Sequence, residues 1–120
     1  QDGQGNSLAD QAAALDERLA KLAAAGVKIV DPRQTFVDED VQLERIRPGA
    51  VLHPGTRLGG ARTYLGEGVR VGAEGPATLI DAVLADSCSV ASGYVNGAVL
   101  LEGASLGANA HVRAGTLLEE

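Results

Sequence analysis

The stretch LLEGASLGANAHVRAGTL, residues 100–117, places an aliphatic residue at every sixth position, Leu100, Leu106 and Val112, and the phase continues to Leu118. A period of six is neither the two of a half-buried strand nor the 3.6 of an amphipathic helix. Working back towards the start, the same frame returns in VDEDVQ from Val37, IRPGAV from Ile46, LHPGTR from Leu52, LGEGVR from Leu65 and LADSCS from Leu84. A small or β-branched residue recurs at the fifth position, and Gly49, Gly55, Gly68, Gly103 and Gly115 all stand at the fourth. A solenoid explains this spacing. Each hexad is one short face of a three-sided coil, positions one and five point inward, and glycine at position four turns the corner at positive φ without a Cβ penalty. Three faces make a coil of about eighteen residues, so residues 37–118 provide about four and a half coils rising roughly 20 Å.

The register slips between Leu43 and Ile46, near Gly59–Thr63, and between Gly75 and Val83. The extra or missing residues are expected to bulge outward as small loops, where a function could sit. Periodicity does not give the hand of the coil, and the general rule for crossovers favours a right-handed one.

Before the repeats the period changes. Gln1–Asn6 reads as a flexible tail, and residues 7–26 as a helix. Ser7 or Asn6 is its N-cap, Leu8, Leu15, Leu19 and Leu22 form one stripe, Glu17 and Lys21 make an i,i+4 pair, and Gly26 is the C′ residue. The narrow leucine stripe fits packing on the domain, on a partner helix or on an absent upstream domain. Residues 27–120 form the repeat domain, entered through AGVKIVDP.

Composition excludes several classes. Sixteen acidic against ten basic residues leave a net charge of −6, which repels a phosphate backbone and argues against nucleic acid. Phe36, Tyr64 and Tyr94 are the whole aromatic complement, so no stacking platform is visible and the core must be aliphatic. Cys88 stands alone, without a disulfide or cysteine metal partner, which favours a reducing, cytoplasmic compartment. No apolar run approaches a membrane span, and QDGQGNS lacks a signal peptide's basic flank and apolar stretch. The absent initiator Met points to an excised fragment. So does the final Leu118, which is not followed by a polar coil of the kind expected to seal a solenoid end.

The leucine-striped helix, the string AGVKIVDP, then VDEDVQ, IRPGAVLHPGT, LGEGVRVG and ADSCSV together resemble the bifunctional N-acetylglucosamine-1-phosphate uridyltransferase and glucosamine-1-phosphate acetyltransferase family. The resemblance covers nearly the whole chain after Ser7. It implies the linker helix and opening coils of a left-handed parallel β-helix, assembled as a homotrimer with sites between subunits. For the parent protein it implies a sugar phosphate or nucleotide sugar as ligand, with magnesium and acetyl-coenzyme A as cofactors. In LGANAHVRAGTLLEE it puts Arg113 at the position of an arginine that binds the sugar-phosphate acceptor, although Ala114 stands where that family commonly has proline. The remaining parts of both active sites would lie outside residues 1–120, so no catalytic residue, cofactor ligand or metal ligand is assigned within the chain.

The residues themselves narrow the chemistry further. His111 and Arg113 flank inward Val112, so both project from one outer face of a strand, within reach of an anion or a neighbouring subunit. Arg113 is the better phosphate ligand, because its planar fork chelates two oxygens. His53 falls outside the core with no metal-ligand partner in its hexad, and Asp38, Glu39 and Asp40 read as a solvated edge. Cys88, at position five, is a core filler rather than a nucleophile. GEGVRVG is two adjacent hexads and lacks the strand, helix and later acidic residue of a dinucleotide loop. Three functions compete: a piece of a sugar-1-phosphate nucleotidyltransferase that trimerises and contributes part of an acetyl-acceptor site; a non-catalytic assembly or protein-interaction module with a decayed site; and a self-sufficient small acyltransferase, which fits least well.

Overall fold

The computed structural model describes residues 7–113 and the backbone of Leu117–Leu118; the expected tail at 1–6 and the corner at Gly115 lie outside the described residues. One helix, α1 (Leu8–Ala24), comes first. Short strands follow: β1 (Lys28–Ile29), β2 (Phe36–Val37), β3 (Val51–Leu52), β4 (Thr56–Gly59), β5 (Tyr64–Leu65), β6 (Arg70–Val71), β7 (Ala77–Ile80), β8 (Val83–Leu84), β9 (Ser89–Val90), β10 (Gly93–Asn96), β11 (Val99–Leu100), β12 (Ser105–Leu106), β13 (Ala110–Val112) and β14 (Leu117–Leu118). They stack into three parallel sheets, β1-β3-β6-β9-β12, β2-β4-β7-β10-β13 and β5-β8-β11-β14. β3 lies on β1 and β4 on β2, from β6 onward each strand lies on the third strand before it, one coil below, and the chain is a β-solenoid of about four coils.

Position one supplies the stacked core. Val37, Leu58, Leu79 and Val95 form one buried column, Leu52, Val71 and Val90 a second, and Leu65, Leu84 and Leu100 a third. Position five lies beside these columns and holds Ala50, Val69, Cys88 and Ala104, all buried. Threonine is tolerated inside because its hydroxyl turns back to the chain. Thr35 donates to the Asp31 carbonyl at 2.8 Å, Thr56 to the His53 carbonyl at 2.8 Å and Thr63 to the Gly59 carbonyl at 2.6 Å, so none of these three hydroxyls is buried without an acceptor.

At position four, Gly49, Gly55, Gly68 and Gly103 have φ between +74° and +90°. The corner imposes that geometry on other residues too: Ser87 has φ +63° and Asn109 +59° at the same place in their hexads. Carboxylates tie successive corners together. Asp40 accepts from the Gly60 N–H at 3.1 Å, Asp81 from Arg62 at 3.0 Å and Asp86 from Glu67 at 2.9 Å. The coil is elastic in length. Leu65, Leu84 and Leu100 are stacked partners although unevenly spaced in sequence, because residues are added or lost at the corners while the inward columns stay in line.

Helix α1 begins at Ser7, whose Oγ accepts from the Asp10 N–H at 3.0 Å. It ends with Gly26 donating to the Ala23 carbonyl and Val27 to the Leu22 carbonyl, the paired bonds of a Schellman motif. Of the three options for its leucine stripe, packing on the domain is realised. Leu19 and Leu22 are buried in the solenoid core, Leu15 packs against it, and Arg18 Nε donates to the Val37 carbonyl at 2.7 Å. Leu8 departs from the expected stripe and is 84% exposed, since the first turn overhangs the coil. The helix thus covers apolar side chains at the first coil that no lower coil would cover.

Candidate functional site

The outer ladder of the middle sheet carries the residues of greatest chemical interest. Parallel pairing sets Phe36 beside Arg57, Arg57 beside Thr78, Thr78 beside Tyr94 and Tyr94 beside His111. Because Val95 and Val112 are partners and point inward, Asn96 and Arg113 follow as outward neighbours one position further on. The upper end of this face is therefore a square of Tyr94, Asn96, His111 and Arg113. The Asn96 carboxamide nitrogen donates to the Tyr94 hydroxyl at 2.9 Å, and the Tyr94 and His111 rings meet edge to face, centroids 5.7 Å apart and planes at 75°. His111 and Arg113 are exposed on one side of the strand, as their spacing predicts. Ala114, where the family pattern departs, lies outside the described residues.

Tyr94 and Asn96 were not legible as part of this group. They sit in a shortened repeat, VASGYVNGAVL, in which the six-residue frame does not assign an outer face. The structure also changes the reading of the aromatics. Phe36, 44% exposed, and Tyr94, 38% exposed, share the outer ladder.

Elsewhere the side chains have structural tasks. The Gly59–Thr63 slip is a corner held from the coil below: Arg45 donates to the Arg62 carbonyl at 3.1 Å and the Thr63 carbonyl at 3.3 Å, and its guanidinium lies over the Tyr64 ring at 5.5 Å. In the expected acidic edge, Asp38 pairs with Arg57 at 3.1 Å and Asp40 caps a corner, beside a cleft of about 440 Å³ under α1 that Arg18 and Gln11 also line. His53 is half-buried rather than fully at the surface. Among the described residues, no group of three or more His, Cys, Asp or Glu is placed to hold a metal ion, and no helix is long and apolar enough to cross a membrane.

Cys88 is fully buried, and its thiol donates to the Leu101 carbonyl at 3.0 Å. Burial pushes its pKa up, because a thiolate there would lose its hydration. The folded state therefore holds this proton more tightly than the unfolded chain. The resulting stability is fully present below the ordinary thiol pKa of about 8.5 and is lost as pH rises through that value towards the folded one. Native protein at pH 8 is expected to resist iodoacetamide and to react rapidly in urea, as mass spectrometry would show. Cys88→Ala is expected to flatten the alkaline decline of the urea midpoint.

The outer side of the third sheet differs in character. Tyr64, Val83 and Val99 lie side by side on β5, β8 and β11, and Leu101 extends the apolar surface beyond the strand, with Val99 37% and Leu101 40% exposed. No carboxylate interrupts this column.

No protein-family model matches the chain. Curated proteins do. The bifunctional protein GlmU of Nocardia farcinica is 40% identical over 96 residues, which cover 80% of this chain and 18% of that protein. The GlmU proteins of Mycobacterium tuberculosis and Trichlorobacter lovleyi are each 38% identical, over 92% and 93% of this chain and 21% and 24% of their own lengths. The chain is thus homologous, along most of its length, to a segment of these bifunctional proteins, and it spans about a fifth of the length of the relatives it matches.

Proposed function

We propose that this chain is the solenoid segment of a sugar-1-phosphate nucleotidyltransferase of the UDP-N-acetylglucosamine pyrophosphorylase kind, in which it assembles three subunits and contributes Arg113 to an acetyl-acceptor site. Homology to GlmU proteins through both helix and coils carries this reading. The left-handed coil implied by the family resemblance belongs to the same proposal. Magnesium and acetyl-coenzyme A would be held by other parts of a longer, cytoplasmic protein, and the segment would act by positioning subunits and by presenting a cation to a phosphate.

The apolar column Tyr64, Val83 and Val99 supports the assembly part. A partly exposed apolar sheet face suits burial against another subunit. Sedimentation of the chain is expected to give three times the monomer mass, and Val99→Glu, which places a charge on the most exposed member of the column, is expected to give monomer with an unchanged far-ultraviolet spectrum. A wild-type chain that sediments as monomer throughout the micromolar range would remove the assembly role. The same column also fits the second reading, a module that only assembles. The two separate on Arg113→Ala, which weakens sugar-phosphate binding only if the site is functional.

A further inference from the structure

We infer that Tyr94, Asn96 and His111 extend the Arg113 site into one binding face for a phosphorylated sugar, with the Tyr94 ring as the platform that distinguishes the sugar ester from free phosphate. The inference rests on the anion-binding reading of Arg113 and adds Tyr94 and Asn96, which neither the repeat pattern nor the family resemblance singles out.

Adjacent parallel strands are about 4.8 Å apart, and alternate residues along a strand about 6.6 Å apart. The square of Tyr94, Asn96, His111 and Arg113 is therefore about the size of one pyranose ring with a phosphate attached. Arg113 and His111 supply N–H donors on β13 and the position just after it, which is the chemistry of an anion cradle. Tyr94 is different. Its hydroxyl accepts from Asn96 at 2.9 Å, and its edge-to-face contact with His111 restrains the ring from the other side. A ring held at two points while 38% exposed costs little further entropy when a ligand settles on it. It offers an apolar surface to the C–H face of a sugar, while the Asn96 carboxamide oxygen can accept from a sugar hydroxyl. With its one acceptor in use, the Tyr94 hydroxyl still has its own proton to donate. Cation, aromatic surface and hydroxyl-reading amide thus converge on a ligand that is anionic at one end and ring-shaped at the other.

The test is titration calorimetry on the full 120-residue chain with two probes, inorganic phosphate and glucosamine 1-phosphate. Wild type is expected to bind the ester more tightly than phosphate. Tyr94→Ala is expected to lower ester affinity about tenfold and to leave phosphate affinity unchanged, a loss in the range of one aromatic contact. Asn96→Ala should lower ester affinity by a smaller factor, also without effect on phosphate. Tyr94→Leu, which keeps an apolar side chain but no ring, guards against a folding defect and should behave like Tyr94→Ala. Equal ester affinity in wild type, Tyr94→Ala and Tyr94→Leu overturns the inference even if Arg113→Ala loses both probes, in which case the anion site stands without the platform. If Arg113→Ala leaves both affinities intact while the tyrosine variants lose the ester, the Arg113 reading falls and the platform remains. Binding of neither probe by wild type overturns both.

Discussion

Gly93→Ala is expected to lower stability by about 4 kcal/mol or more, a loss confined to the few substitutions that force backbone against backbone. Gly93 opens β10 and lies between Ala77 and Ala110 in the stack. A Cβ there would run into the oxygen, nitrogen and carbonyl carbon of Ala110 in the coil above, and the residue has φ +118°, a region that L residues avoid. Neither side can yield cheaply. Gly93 donates to the Pro76 carbonyl at 2.9 Å and Ala110 to the Ser92 carbonyl at 3.1 Å, so moving either residue breaks a coil-to-coil bond. The fitting control is Gly107→Ala, where a Cβ would meet nothing within 4 Å. It should be neutral or stabilising by up to about 1 kcal/mol, because alanine restricts the unfolded chain. Urea denaturation followed by circular dichroism would separate the two. Near-identical midpoints for both variants would mean that β13 is not seated on β10 as described.

What the sequence shows and what it hides follow from the same feature. Wherever a hexad is complete, as at Ile46, Leu52, Leu65 and Leu84, the frame identifies inward positions one and five, because the spacing is imposed by the core itself. The corner rule is also legible through Gly49, Gly55, Gly68 and Gly103, yet Ser87 and Asn109 take the same left-handed turn without a glycine to announce it. The middle coils were harder. Between Leu79 and Leu100 the chain shortens its corners, so Tyr94 and Asn96 fall out of phase with the hexads although their strand remains in register with its neighbours. Sequence spacing records the chain length spent on a corner, while function here depends on lateral stacking, and Tyr94 reaches His111 through strand pairing alone. Leu8 shows the converse, a residue in phase with a stripe but beyond the surface that the stripe covers.

Leu84→Ala is the second large effect. Leu84 is completely buried, with Leu65 below and Leu100 above it in the third column. Truncation removes three carbons from a layer only one side chain thick, and the hydrogen-bonded coils on either side prevent collapse into the space, which places the cost at about 3 kcal/mol within the usual range for Leu→Ala. How that loss is distributed matters as much as its size. In a solenoid each coil contacts only its neighbours, so a defect at Leu84 weakens the joint between lower coils anchored by α1 and upper coils that lack such an anchor among the described residues. Amide exchange reads this directly. The Ala85 N–H, bonded to the Leu100 carbonyl, and the Gly97 N–H, bonded to the Ile80 carbonyl, are expected to lose about a hundredfold in protection, whereas the Val27 N–H, bonded to the Leu22 carbonyl beside the helix, should lose much less. An equal loss at all three amides would mean that helix and coils unfold as one unit, and the anchoring role of α1 would then extend through the whole stack rather than stopping at the coils it covers.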